Sequence, residues 1–478
     1  MSTFALAADP IRPWSNLVPS TSQFRLREQD DRHIILDGTV AGLPATLEYY
    51  GTGFGATGAG LSAGTATLTA YKYTVGGQAV LSLDRAAVTG TSLKAWLLGD
   101  GTAFDQAAFA GNDLILLSNS ADRRIAYGGD DVVYGRGGND TLLGAAGNDT
   151  LYGGDGDDRL EGDTGDDAVE GGWGNDYAHG GAGTDTYFTG ALKRAATVAP
   201  TPTNVVLSSA EGVDSLFAFE RITFMDGTLH LDPVGTAGQV WRLYDAAFGR
   251  GAETTGLSAW VQALDAGALS LADAAARFLG SAEFALHYGQ LDDTGFVTRL
   301  YANVLHRAPD APGMDAWMAR LASGASRADL LVGFSESAEH HAAVDPGITN
   351  RLWTVDPEAM EVLRCYMTVL DRLPDGTGLA SWTAQRNLHQ LTSAELTDAF
   401  IRSPEFQGRF GALSNADFVD RLYLTALDRP ADAAGHADWT YKLDSGAMQR
   451  RDVVMGFAHS EEMTQKLLPL VADGIAFA

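Results

Sequence analysis

The sequence predicts a multidomain β plus α chain: a parallel β-roll with an N-terminal β cap, followed by an all-α helical repeat domain. Three observations predict it. Between residues 108 and 188 an aspartate recurs every nine residues. Before that block, Thr-, Gly- and Tyr-rich segments such as "RHIILDGTV" and "TATLTAYKYTVGG" read as short strands joined by glycine turns. After it, the composition turns Ala- and Leu-rich, and a longer repeat with tyrosine spacings of 57, 65 and 57 residues begins.

The nine-residue block carries Asp113, Asp122, Asp131, Asp140, Asp149, Asp158, Asp167, Asp176 and Asp185 without a slip. Two residues before most of them stands a glycine (Gly111, Gly129, Gly138, Gly147, Gly156, Gly165, Gly174, Gly183), and two residues after stands an apolar side chain in most units, Leu151 and Leu160 among them. Arg124 occupies that apolar position in one degraded unit. The glycines permit tight turns over the first six positions, leaving a three-residue strand with one inward side chain. Two turns and two strands make a coil of 18 residues, and coils stack at the strand spacing of about 4.8 Å. Aspartates 18 apart then form two columns, which repel unless a cation lies between the turns. One apolar residue in nine is too thin a core to offset about 1–2 kcal/mol of backbone entropy per residue.

The clearest unit, Gly153-Gly154-Asp155-Gly156-Asp157-Asp158-Arg159-Leu160-Glu161, resembles the G-G-x-G-x-D-x-U-x nonapeptide of RTX proteins, a calcium-binding β-roll repeat. The resemblance implies Ca²⁺, about five to seven ions, held by the nine aspartates and by backbone carbonyls near Gly129, Gly138, Gly147, Gly156, Gly165, Gly174 and Gly183. Binding free energy then becomes folding free energy. It also implies export by type I secretion machinery. The N-terminal residues show no cleavable leader of the usual kind. The ending "ADGIAFA", with Asp473 before a small apolar tail, is similar to the C-terminal signals of such substrates.

The expected division is 1–107 β-rich cap, 108–188 roll, 189–235 closing strands, 236–345 first helical pair and 346–478 second helical pair with the secretion signal. "FERITFMDGTLHLD" resembles the strand pair that closes such rolls, and an open end would leave unpaired strand edges. In the helical part Tyr244, Tyr301, Tyr366 and Tyr423 begin equivalent units. Each is followed by an arginine (Arg250, Arg307, Arg372, Arg429), an acid (Glu253, Asp310, Asp375, Asp432), a glycine (Gly256, Gly313, Gly378, Gly435) and a tryptophan (Trp260, Trp317, Trp382, Trp439) at constant offsets. Ser281, Ser337, Ser403 and Ser460 come later, each with a glutamate two residues on. Each unit reads as helix, loop, helix, with Tyr and Trp in the core, Gly breaking the helix, Arg paired to the acid across the loop and Ser as an N-cap. The region is similar to an uncharacterised helical domain distantly related to phycobilisome linkers.

A formal net charge of −28 argues against nucleic acid or an anionic membrane as partner. The single cysteine, Cys365, excludes an intrachain disulfide, and no apolar run is long enough for a membrane span. There is no H-E-x-x-H, and the adjacent His340 and His341 lack metal-ligand spacing. Gly60-Leu61-Ser62-Ala63-Gly64 matches G-x-S-x-G, but its flanks are a glycine loop and a strand, not a strand and a helix. The expected function is therefore non-enzymatic. It is an extracellular calcium-binding structural or adhesive scaffold, of surface-layer, sheath or biofilm-matrix type, whose partners are itself or cell-surface polysaccharide. The alternatives are a secreted hydrolase with its site in residues 1–107 and a soluble ligand-binding exoprotein.

Overall fold

The computed structural model describes residues 110–117, 119–289 and 291–478, together with the backbone of the strands between Ser2 and Thr89. The G-x-S-x-G serine and the proposed hydrolase region lie outside the described side chains. The chain divides into two units, residues 1–191 with 196–222, and residues 192–195 with 223–478.

In the first unit the strands Phe24–Gln29, His33–Val40, Leu43–Thr52, Thr67–Val75 and Gln78–Thr89 pair antiparallel in that order. Ser2–Leu6 joins this sheet to the roll, antiparallel to Gln78–Thr89 and parallel to Asp113–Leu116. The first edge of the roll is thereby paired rather than open.

The roll has two parallel ladders with an 18-residue register. One holds Asp113–Leu116, Val132–Gly137, Thr150–Asp155, Ala168–Trp173 and Thr186–Phe188. The other holds Arg123–Gly128, Thr141–Ala146, Arg159–Thr164 and Tyr177–Ala182. Ile115, Val133, Leu151, Val169 and Tyr187 stack inside the first ladder, and Leu142, Leu160 and Ala178 inside the second, all buried. Arg124 is in register with Leu142 and is itself buried.

The strands are six residues long in the regular coils, not three. The turn is correspondingly only about three residues. Burial explains the difference. In Thr150–Asp155 both Leu151 and Gly153 face inward. The ladder therefore runs on through the glycines, and Gly154, at φ +112°, keeps the pairing at an angle few L-residues adopt.

Past the last repeat, Val213–Phe217 pairs parallel with Tyr177–Ala182 and antiparallel with Val205–Ser208, which pairs in turn with Thr197–Pro200. A parallel ladder is thus converted to an antiparallel meander that needs no further coil.

The second unit contains sixteen α-helices among its described residues, four in each repeat. The expected helix–loop–helix is too simple. Each serine of the repeat starts an additional short helix by accepting a backbone N–H, from Phe284, His340, Phe406 and Met463 respectively. Two apolar cores form, one from the first two repeats and one from the last two. An antiparallel pair of strands, Gly227–His230 and Leu352–Val355, lies in the same unit.

Three repeat positions behave differently from expectation. The glycine does not break a helix. Gly256, Gly313, Gly378 and Gly435 each sit in the first turn of one, where a Cβ would collide with the hydroxyl of the repeat's tyrosine. The acid caps that helix in three repeats, Asp310, Asp375 and Asp432 each accepting the glycine N–H. The arginine does pair with the acid across the loop in three repeats, Arg250–Glu253, Arg307–Asp310 and Arg429–Asp432, but its two-pronged partner in all four is the glutamate after the serine: Arg250–Glu283, Arg307–Glu339, Arg372–Glu405 and Arg429–Glu462. The guanidinium also lies 4.9–5.4 Å from the tyrosine ring centre. The four tryptophans are half-buried and rest on Phe278, Phe334, Phe400 and Phe457.

Candidate calcium sites

The aspartates of the repeat stand in two columns, one on each edge of the roll, and all nine are buried. Their Oδ1 atoms are used within the protein. Each aspartate N–H donates to the Oδ1 of the aspartate one coil further on, at 2.6–2.9 Å, from Asp113→Asp131 and Asp122→Asp140 through to Asp167→Asp185. From Asp131 onward the Oδ2 atoms are not. The Oδ2 of Asp131, Asp140, Asp149, Asp158, Asp167, Asp176 and Asp185 is buried and accepts no hydrogen bond. A run of buried carboxylate oxygens without donors is costly.

What these oxygens face is defined by the inward glycine five residues before each aspartate. A Cβ on Gly135, Gly153 or Gly162 would run into the Oδ2 of Asp140, Asp158 or Asp167, and equally into the carbonyl oxygen of Gly153, Gly171 or Gly180 one coil further on. At Gly180 the partners are Asp185 and the Ala218 carbonyl. At Gly144 it is the Asp149 side chain alone that crowds the position, and at Gly171 a hydroxyl, that of Tyr187, stands where the carbonyl would be. Six glycines thus keep side chains out of six oxygen-lined places. Asp131 differs: its preceding position is Ala126, and the Arg124 guanidinium lowers its acidity cost.

Electrostatics give the same picture. Burial, opposed by the backbone N–H and supplemented by neighbouring acids, pushes Asp131 up to about 8. The same causes raise Asp140, Asp158 and Asp167 to about 7 and Asp149 to about 6. Asp176 and Asp185 are also raised by burial. A bound cation reverses this preference for the neutral form. No group of three or more His, Cys, Asp or Glu side chains converges among the described residues. The donors on offer are single carboxylates and backbone carbonyls, all oxygen, which suit Ca²⁺ and not a thiolate- or imidazole-seeking metal.

Two column members fall outside the nine-residue frame. Asp176 N–H donates to Asp214 Oδ1 at 3.1 Å, and Asp185 N–H to Glu220 Oε2 at 2.6 Å. Asp214 sits in Gly212-Val213-Asp214-Ser215-Leu216, the same G-x-D-x-U pattern displaced 38 residues from Asp176. The local pattern was visible in the sequence; the broken frame concealed it. Asp214 Oδ2 accepts the Tyr187 hydroxyl at 3.0 Å, so here a phenol supplies the missing donor. Burial raises Asp214 to about 6.

A second, outer ladder precedes each column by one residue. Asp130, Asn148, Asp166 and Thr184 donate their N–H to Asn112, Asp130, Asn148 and Asp166, and Asp157 and Asn175 to Asn139 and Asp157. Asn and Asp alternate, so no two carboxylates of this ladder are nearest neighbours.

His340 and His341 serve structure. His340 spans Asp245 Oδ2 and the Ser335 carbonyl, and His341 bonds Asp345.

Residues 118–151 and 152–187 match the RTX calcium-binding nonapeptide repeat. The roll is a block of RTX calcium-binding repeats. Residues 275–344, 362–410 and 397–467 match a domain of unknown function, DUF4214. The helical half of this RTX-repeat protein thus has its own family, one whose matches extend across both helical pairs. No curated protein matches the chain. No helix among the described residues is long and apolar enough to cross a membrane.

Proposed function

We propose that the protein is a secreted, extracellular scaffold that folds on calcium and then assembles with itself or binds cell-surface polysaccharide. One observation carries the calcium part: seven buried Oδ2 atoms without donors, most of them facing a carbonyl of the next coil across a place too tight for a Cβ. Asp140, Asp149, Asp158, Asp167, Asp176 and Asp185 would hold the ions, with the carbonyls of Gly153, Gly171, Gly180 and Ala218. The six places lie within the expected about five to seven ions. Calcium would supply the positive charge that lets these carboxylates stay ionised at neutral pH. Calcium modules of this kind bind at about 10⁻⁴–10⁻³ M, far above the cytosolic level, so the roll would stay unfolded until export through a type I machinery.

The scaffold part is supported by the rod-like stacking of coils, the repeated helical units and the acid-rich surface, whose repulsion calcium lowers. The reading is non-enzymatic. Light scattering and electron microscopy of the purified chain, with millimolar calcium and with chelator, test it. Ordered polymers or attachment to cells only with calcium are expected. A chain that stays monomeric and unattached at millimolar calcium removes the scaffold reading and leaves calcium binding standing.

A further inference from the structure

In the helical unit a cleft of about 350 Å³ opens beside helices Thr254–Asp265 and Pro357–Cys365 and strand Leu352–Val355. Its volume lies within the range of small-ligand sites. Arg364 lines it, and the repeats reveal what is unusual about that arginine.

An arginine stands two residues before the tyrosine in every repeat: Arg242, Arg299, Arg364 and Arg421. Arg242, in the first repeat, is fully buried and saturated with internal acceptors. Its Nε and Nη2 donate to both oxygens of Glu336 at 3.0 and 2.6 Å, and its Nη1 to Asp345 at 3.0 Å and to the Pro233 carbonyl at 2.6 Å. Arg364 is its counterpart in the third repeat. Counted from the capping serines Ser337 and Ser460, the counterparts of Glu336 and Asp345 are His459 and Leu468. Both carboxylates are gone.

Arg364 is nonetheless largely buried, with 13 % of its side chain exposed. Nη1 donates to the Ala458 carbonyl at 2.6 Å and to Thr464 Oγ1 at 3.3 Å. Nε is 3.6 Å from Glu361. Among the described residues Nη2 has no hydrogen-bond partner.

Glu361 does not balance the guanidinium by itself, because it is shared. Both of its oxygens accept His459 Nε2 at 3.0 Å, while His459 Nδ1 is 2.9 Å from the Met455 carbonyl. The Glu361 hydrogen bond, opposed by burial and helped by the Met455 carbonyl, raises the His459 imidazole above its ordinary value and so favours its charged form. Glu361 and Asp356 both line the cleft, Glu361 with both oxygens engaged by His459 and Asp356 committed to the helix N-terminus, where it accepts the Ala359 N–H. The same cleft is lined by Gln262 and Thr255, whose side chains make no hydrogen bond among the described residues, and by Val261 and Met360.

We propose that this cleft binds a small hydroxylated carboxylate of the sugar-acid class. The ligand carboxylate takes on Arg364 the place that Glu336 takes on Arg242, while its hydroxyls bond the Gln262 amide and the Thr255 hydroxyl. A neutral sugar would leave the guanidinium edge unmatched. A carboxylate without hydroxyls would leave the amide unmatched. This inference does not depend on the scaffold reading.

The test is calorimetric titration of the full-length, calcium-loaded chain with gluconate, glucuronate, glucose, acetate and inorganic phosphate. Saturable binding of at least one sugar acid is expected, with glucose and acetate at least about tenfold weaker, the worth of one charge-assisted hydrogen bond. Arg364→Gln should lose about tenfold or more and Gln262→Ala about threefold. Gln262→Glu, at an exposed position of the cleft, sets a carboxylate against an anionic ligand, so it should weaken sugar-acid binding about tenfold or more while leaving the thermal transition intact. That variant decides the matter if Arg364→Gln does not fold. Absence of saturable binding by either acid overturns the proposal. So does equal binding by Gln262→Glu, and so does phosphate binding as tightly as the acids.

Discussion

The roll and the helical unit are both rich in acids, yet they treat them oppositely. In the helical unit every repeat glutamate has its own arginine, and three of four repeat acids cap a helix with a backbone N–H. In the roll each column aspartate from Asp131 to Asp185 is half satisfied by one backbone N–H and half abandoned in the interior. The lesson is that a net charge of −28 is not one property. Some of those charges are internally compensated and stabilise the apo protein. The others are buried without a counter-charge and, when ionised, disfavour the ion-free fold.

Calcium removal gives the largest contrast. In the full chain, hydrogen exchange of amides in 110–188 should rise to the unfolded rate in chelator, whereas the core helices of residues 236–471 should keep their protection. Equal protection of both regions in chelator would mean the roll does not need ions, and loss of both would mean the helices depend on it.

Single carboxylates come next. Asp149→Ala and Asp158→Ala each remove an unpartnered Oδ2 and an acceptor for the aspartate N–H one coil back. The calcium midpoint of folding, followed by circular dichroism, should rise about tenfold or more. Arg307→Lys, in the helical unit, should leave that midpoint unchanged.

Protons should partly imitate calcium. The folded carboxyls titrate at about 6 to about 8, above their ordinary value near 4. A raised folded value means that protonation favours the ion-free fold. The contribution is complete below about pH 4 and is lost as pH climbs through 6 to 8. In chelator the roll should therefore gain β structure on acidification from pH 8 to pH 5. At fixed calcium the effect reverses, since protons compete for the same oxygens. A chelated roll that is equally unfolded at both pH values would show that carboxylate repulsion is not what holds it open.

Smaller effects sharpen the helical side. Gly313→Ala places a methyl against the Tyr301 hydroxyl and should cost about 1–3 kcal/mol in a thermal or denaturant melt. Trp317→Ala should cost about 2–3 kcal/mol, below the range for a fully buried ring, because this one is half-buried on Phe334. Neither should move the calcium midpoint.

The columns were legible in the sequence because an 18-residue coil converts a ninefold period directly into vertical alignment. Strand length was not, because Gly153 and its equivalents look like turn residues and are in fact inward positions emptied to admit oxygen. Asp214 and Glu220 were hidden by the inserted segment that carries Thr197–Pro200 and Val205–Ser208. In the helical half the repeat positions were all visible. Their roles were not, since the arginine–glutamate pairs join residues 32 or 33 apart and the glycine answers to a tyrosine hydroxyl one helix away.

The outer ladder sets a grammar for how such a rod can change length. Asn112, Asp130, Asn148 and Asp166 alternate along one edge, and Asn139, Asp157 and Asn175 along the other. Excising nine residues would swap the two edges. Excising one coil of 18 would restore the edges but set Asp130 directly beneath Asp166. Only a double coil of 36 residues leaves both the columns and the alternation in phase. The roll therefore reads as a polymer whose natural monomer is two coils, and gain or loss of repeats in steps of 36 should be the one kind of length variation that alters the span of the rod without altering its appetite for calcium per coil.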